Sequence, residues 1–186
     1  MDKLGVTLWF TGLSGAGKTT ISQRVADRLK REYGIKIVLL DGDRVRQTLT
    51  NNLGFSPANR AENIRQIGQI AHELSLEGSI VLVAAIAPYR YLRDGLRAQI
   101  GAFVEVYVNA PLEICEGRDP KGLYRRARAG EIQRFTGIDD PYEAPLNPEL
   151  TCDTDRESIE ECVDKVINYL IENRVIPAPS HTIDLD

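Results

Sequence analysis

The sequence predicts an α/β domain, a parallel β-sheet covered by helices on both faces, and three observations carry that prediction. Short β-favouring runs alternate with stretches of helical period. The strand candidates are apolar along their whole length, as strands buried on both faces must be. Glycine and aspartate clusters follow the carboxyl ends of the first two candidates, where ligands bind in such sheets.

The elements follow in order. Val6 to Phe10 is a β-favouring run that ends at Gly12, and Ile21, Val25 and Leu29 then recur at helical spacing up to Gly34. Ile35 to Leu40 reads as a second strand, closed by Asp41-Gly42-Asp43; Ile64, Ile67, Ala71 and Leu74 mark a long helix that stops at Gly78. A third strand is expected over Ile80 to Ala87, a fourth over Val104 to Val108 and a short fifth over Leu150 to Cys152. Thr154 and Glu157 have capping-box spacing and are expected to start a helix carrying Ile159, Val163, Val166 and Leu170.

Between Arg118 and Leu150 the apolar period fails, and the segment is rich in charge, Gly and Pro, a composition suited to a mobile lid as well as to an ordinary surface loop. Ile176 to Asp186 contains two prolines and little apolar surface, so residues 1–175 are expected to form one domain and 176–186 a tail.

At 186 residues, 42% of them hydrophobic, the chain suits a single domain with a substantial core. A formal charge of −4 argues against a general nucleic-acid binder and against attachment to anionic lipid, so any bound anion must meet a local basic pocket. The longest strongly apolar run, Ile80 to Ala87, is too short to span a bilayer, and a cytoplasmic location is expected. Cys115, Cys152 and Cys162 lack CxxC spacing and read as inert buried thiols rather than zinc ligands or a disulfide framework.

Gly12-Leu13-Ser14-Gly15-Ala16-Gly17-Lys18-Thr19 fits G-x-x-x-x-G-K-[ST] at every fixed position, between a predicted strand and a predicted helix. Glycines let successive backbone N–H groups turn toward phosphates, and the following helix adds the positive end of its dipole. Lys18 supplies a point charge for the β and γ phosphates, and the Thr19 hydroxyl suits Mg²⁺. Binding of a nucleoside triphosphate is therefore expected. No NKxD motif points to a switch GTPase, and no second glycine cluster marks a dinucleotide site.

The acceptor should lie opposite. Asp41 and Asp43 directly follow the second strand, so at least one carboxylate should reach Mg²⁺ or an incoming hydroxyl, although Asp-Gly-Asp is also a common turn. Arg46, Arg60 and Asn63 should share a face, and paired guanidiniums suit an anionic acceptor, whereas helix arginines without such context ordinarily face solvent. Phe55 and Phe135 lie in polar, Gly-containing segments, where they suit a clamp on a planar base or ordinary burial of a loop phenylalanine.

Taken together, TLWFTGLSGAGKTT, DGDRVR, LGFSPANRAENIR, the PYR after the third strand and the stretch from DPKGLYRRARAGEI to FTGIDDPYEAP resemble the adenylyl-sulfate kinase family over nearly the whole chain. The resemblance implies a three-layer P-loop kinase fold, usually a homodimer, that phosphorylates the 3′-hydroxyl of adenylyl sulfate with MgATP. It places Asp43, Arg46, Phe55, Arg60, Asn63, Ile86, Ala87, Lys121, Leu123, Arg134 and Phe135 around adenylyl sulfate. Gly12 to Thr19 with Thr20 and Arg118 would bind ATP; Lys18, Asp43 and Lys121 would be catalytic; Thr19 and Asp43 would hold the metal.

The sequence departs from the family pattern at Ala87, where many members carry serine before the proline, and at Arg44, where asparagine is more usual. A methyl group cannot accept phosphate, so direct in-line transfer is expected rather than a phosphoserine intermediate. Two other readings compete: a P-loop kinase for another small molecule, and a nucleotide-binding regulatory module without turnover, which only Ala87 favours.

Overall fold

The computed structural model describes residues 5–48, 53–54 and 56–178. Five strands form one sheet: β1 (Val6–Thr11), β2 (Ile37–Asp41), β3 (Ile80–Ala84), β4 (Phe103–Asn109) and β5 (Leu150–Asp153). Their order is β2-β3-β1-β4-β5 and every pairing is parallel, so β1 is central and all carboxyl ends lie on one edge.

The VTLWFT sequence of β1 is buried at every position, as a central strand between two helical layers requires. Alternation then sorts its side chains. Val6, Leu8 and Phe10 enter one core cluster with Ile21, Val25 and Leu29 of α1 (Lys18–Tyr33) and with Val163, Val166 and Leu170 of α7 (Ile159–Glu172). Trp9 enters the other, with Ile64 and Ile67 of α3 (Pro57–Leu76) and Leu92 and Leu96 of α4 (Arg90–Ile100). The sequence therefore builds the three layers that its pattern predicts.

Three short helices complete the elements: α2 (Gly42–Thr48), α5 (Leu112–Arg118) and α6 (Leu123–Arg128). None of them, nor α4, stands out in the sequence. In α4 the apolar period is present as Leu92, Leu96 and Ile100, but a buried arginine, Arg93, interrupts its core face.

Three expectations are corrected. The third strand ends at Ala84, not Ala87. Beyond it the backbone carbonyls turn to side-chain donors: Ala85 O accepts from Trp9 Nε1 at 3.2 Å and Ile86 O from Thr11 Oγ1 at 2.6 Å. Ala87 has φ 44°, which no strand residue adopts.

The last helix is capped by Ser158 and Glu161, one turn after the expected Thr154 and Glu157. Both pairs have the spacing, but the Thr154 hydroxyl donates to Ala16 O at 2.8 Å and the Glu157 carboxylate accepts from Asp153 N at 3.0 Å, which leaves Ser158 for the cap. Finally, Ile176 is buried in the core and is not part of a tail. Its N–H donates to Leu170 O at 3.3 Å, and the apolar side chain closes the end of α7.

Candidate active site

The phosphate loop fills the turn between β1 and α1. Gly12 has φ 151°, and a Cβ there would stand 2.2 Å from Val108 O, so only glycine permits the chain to leave β1 this close to β4. The loop is braced from outside by side chains distant in sequence. Tyr124 Oη donates to Ser14 O at 2.9 Å, Arg118 Nη1 to Gly15 O at 3.3 Å, and Thr154 Oγ1 to Ala16 O. Arg118 also donates to the Thr154 carbonyl at 2.5 Å and to its hydroxyl at 3.0 Å.

Lys18 opens α1 and is buried; its Nζ donates to Leu13 O at 2.8 Å, across the curve of the loop. Burial lowers its pKa from 10.5 to about 8, against the pull of Asp43. Thr19 Oγ1 donates to Asp41 Oδ2 at 2.9 Å. The other oxygen of that carboxylate accepts from the backbone N–H groups of Asp43 and Arg44, at 3.0 and 3.3 Å. Asp41 thus fixes the start of α2 and meets the Thr19 hydroxyl at once, while Asp43 is left to face the site.

Asp43 forms an ion pair with Lys121, which arrives from the far side of the sheet edge on the turn before α6. Both side chains are largely exposed, so the pair contributes little to stability and remains available to a ligand. Lys18, Asp41, Asp43 and Lys121 make one charged group, in which Lys18 senses the other three.

A second group lies around Arg46 and Arg60. Arg46 donates to the carbonyls of Leu53, at 3.1 Å, and Gly54. Burial first, and then the Arg60 guanidinium, lower its pKa. Arg60 is ion-paired with Asp140 at 2.6 Å and donates to Thr136 Oγ1 at 3.3 Å, which ties α3 to the segment after α6. Asn63 is buried one turn further along α3.

Phe135 stacks edge-on against Tyr124 with ring centroids 5.0 Å apart and packs against the main core. Burial of a loop phenylalanine is thus realised there; Phe55, the other half of the expected clamp, lies outside the described residues. Ile86 is half-buried and Ala87 fully buried at the end of β3; Leu123 begins α6; Arg134 is exposed with φ 56°, and Thr20 is exposed in the first turn of α1.

The sequence offers Asp41 and Asp43 as alternatives, and the structure separates their surroundings. Thr154 reads as a cap in sequence, although its place just beyond a strand's carboxyl end was the available signal. All three cysteines are buried and free, and Cys115 lies beneath the loop, its thiol pKa raised by burial. Among the described residues no group of three or more His, Cys, Asp or Glu could hold a metal, and no helix is long and apolar enough to cross a membrane.

A parallel sheet with G-x-x-x-x-G-K-T at its switch point, and the charged group of Lys18, Asp41, Asp43 and Lys121 beside that loop, define a P-loop phosphotransferase. A sequence model described as adenylylsulphate kinase matches residues 4–153, and the chain belongs to that family. It is 62% identical over 172 residues to an adenylyl-sulfate kinase of Picosynechococcus sp., covering 92% of this chain and 97% of the relative. To one of Halothermothrix orenii it is 55% identical over 182 residues, covering 98% of each.

The APS kinase of Mycobacterium tuberculosis, solved in complex with AMPPNP and APS, superposes with a TM-score of 0.85 at 48% identity, covering 90% of this chain and 98% of that one. A shikimate kinase of Aquifex aeolicus, 13% identical with a TM-score of 0.54, shares the fold alone.

Proposed function

We propose that this protein transfers the γ-phosphoryl group of MgATP to the 3′-hydroxyl of adenylyl sulfate, giving 3′-phosphoadenylyl sulfate and ADP for sulfate assimilation. The observation that carries the proposal is the juxtaposition of Lys18, Asp43 and Lys121 between the phosphate loop and the Arg46–Arg60 region. Phosphoryl transfer of this kind depends on positioning and cations more than on covalent chemistry by the protein.

The Thr19 hydroxyl beside Asp41, with Asp43 nearby, fits Mg²⁺, which binds through one or two carboxylates and substrate phosphates rather than an all-protein cage. Thr19 and Asp43 would hold the ion, with Asp41 orienting Thr19. When bound, it neutralises charge on the β and γ phosphates.

Gly12 to Thr19, with Thr20 and Arg118, bind ATP. Arg46 and Arg60 hold the phosphosulfate, Asn63, Ile86, Ala87, Leu123 and Arg134 line the acceptor site, and Phe55 and Phe135 bound its adenine. Asp43 orients the 3′-hydroxyl, and Lys121 stabilises charge on the transferring group. The segment from 118 to 150 acts as the lid that excludes water. Because Ala87 has no hydroxyl, transfer is direct, through a ternary complex, and ping-pong kinetics would contradict it. The protein is read as a cytoplasmic homodimer.

The test is ADP release by purified protein with MgATP, comparing adenylyl sulfate with AMP, shikimate and gluconate, the nucleotide product being identified by mass. Turnover with adenylyl sulfate alone is expected. Measurable ATP binding without turnover on any of the four would instead support a regulatory module.

A further inference from the structure

We infer that Arg93 is a positioning residue for the acceptor: it fixes the loop carrying Ile86 and Ala87 directly, by a hydrogen bond to Ala87 O, and indirectly, by holding Glu143, whose N–H binds Pro88 O. The inference rests on the placement of adenylyl sulfate against that loop under the proposed function.

Arg93 is only 2% exposed and lies on the core face of α4, where an aliphatic residue would serve packing better. Each of its three guanidinium nitrogens donates a hydrogen bond. Nε donates to Glu105 Oε1, Nη1 to Ala87 O and Nη2 to Glu143 O, each at 2.6 Å. One side chain thus joins β4, the loop after β3 and the segment that returns from the lid.

The consequence for the loop is specific. Three successive carbonyls are each taken by a donor from elsewhere: Ile86 O by Thr11 Oγ1 at 2.6 Å, Ala87 O by Arg93, and Pro88 O by Glu143 N at 2.8 Å. Ala87 sits among them with φ 44°, a left-handed conformation that strains an alanine and persists only when its surroundings over-determine it. Arg93 supplies two of those constraints, since it also holds the carbonyl of Glu143, whose N–H holds Pro88.

Thr11, the last residue of β1 before the phosphate loop, connects the same assembly to the nucleotide side, and its hydroxyl lies 2.9 Å from Tyr142 Oη. Burying an ion pair such as Arg93–Glu105 is a poor way to gain stability, because desolvation offsets much of the attraction. Holding one backbone geometry is a better account of the pair.

The test separates acceptor positioning from general integrity. Initial rates would be measured at varied adenylyl sulfate, and AMPPNP affinity by calorimetry, for the natural chain, Arg93→Lys, and the double variant Arg93→Gln with Glu105→Gln, which removes both buried charges together. In the double variant KM for adenylyl sulfate should rise about tenfold or more, with AMPPNP affinity within about twofold of the original. Arg93→Lys, which keeps the charge but not the fork, should fall between the two.

An unchanged KM in either folded variant overturns the inference. So does a loss of AMPPNP affinity in step with KM, or failure of both variants to bind AMPPNP, since these outcomes mark a purely structural residue. If the natural chain itself does not turn over adenylyl sulfate, the proposed function fails, and the inference with it.

Discussion

The phosphate loop and the proposed acceptor side of this site are built in different ways. The phosphate loop is one contiguous stretch, Gly12 to Thr19, whose turn comes from glycine conformations and the helix it starts, with distant side chains bracing it only from outside. The acceptor side is assembled across the chain: Lys121 meets Asp43, Asp140 meets Arg60, and Tyr142 meets Thr11, each pair separated by more than seventy residues. Local geometry can be written in a motif. A site made of long-range pairs exists only once the sheet has brought its edges together.

Substitutions on the two sides should therefore fail differently, and the largest effect belongs to the nucleotide side. Lys18→Ala should lower kcat by about a thousandfold, because among the described residues no other buried cation stands at the phosphate loop. Next comes the bridge between the sides. Lys121→Ala should lower kcat about a hundredfold with smaller changes in either KM; loss of binding with turnover kept at saturation would remove Lys121 from the chemical step.

A smaller effect is expected on the acceptor side alone. Asp140→Asn leaves Arg60 without its carboxylate partner, and should raise KM for adenylyl sulfate about tenfold while AMPPNP affinity stays level. Equal losses for both ligands would mean that the two sides are not separable.

The mildest test is pH. Free Lys18 titrates near pH 8, below its ordinary value, and phosphates bind its charged form. AMPPNP affinity should be level below pH 8 and decline as pH rises above it, a decline absent from Lys18→Met; the same titration with adenylyl sulfate should show no such step. For folding the sign is opposite. A lysine with a lowered folded pKa adds stability above its unfolded pKa of about 10.5, and that contribution is lost as pH falls toward 8.

The same contrast explains what could be read in advance. All five strands and the phosphate loop were legible, because apolar runs and glycine spacing are local signals. Arg46 and Arg60 suit one anionic acceptor on their residue type, and Asn63 joins Arg60 by helical spacing; their common role remains part of the proposal. Arg93 was not legible. An arginine inside an amphipathic pattern looks like a break in the helix face, and only the fold shows that β4, the loop after β3 and Glu143 converge on it.

The misplaced cap has a similar cause. Thr154 and Glu157 satisfy the capping-box spacing as well as Ser158 and Glu161 do, and the choice was made by Ala16 and Asp153, which claim the first pair.

The turn that presents Lys121 has a consequence for chain length. Asp119 at φ 23° and Gly122 at φ 65° flank it, Gly122 N donates to Asp119 O at 3.0 Å, and the Asp119 carboxylate accepts from the N–H groups of Tyr124 and Arg125. Upstream, Arg118 is stapled to the phosphate loop. Lys121 therefore hangs on a spacer of fixed dimension between two anchors. Adding one residue to that spacer would shift the ammonium by up to about 3.8 Å with every side chain unaltered. At this corner the protein measures distance by counting residues, and insertions there should be rarer than substitutions.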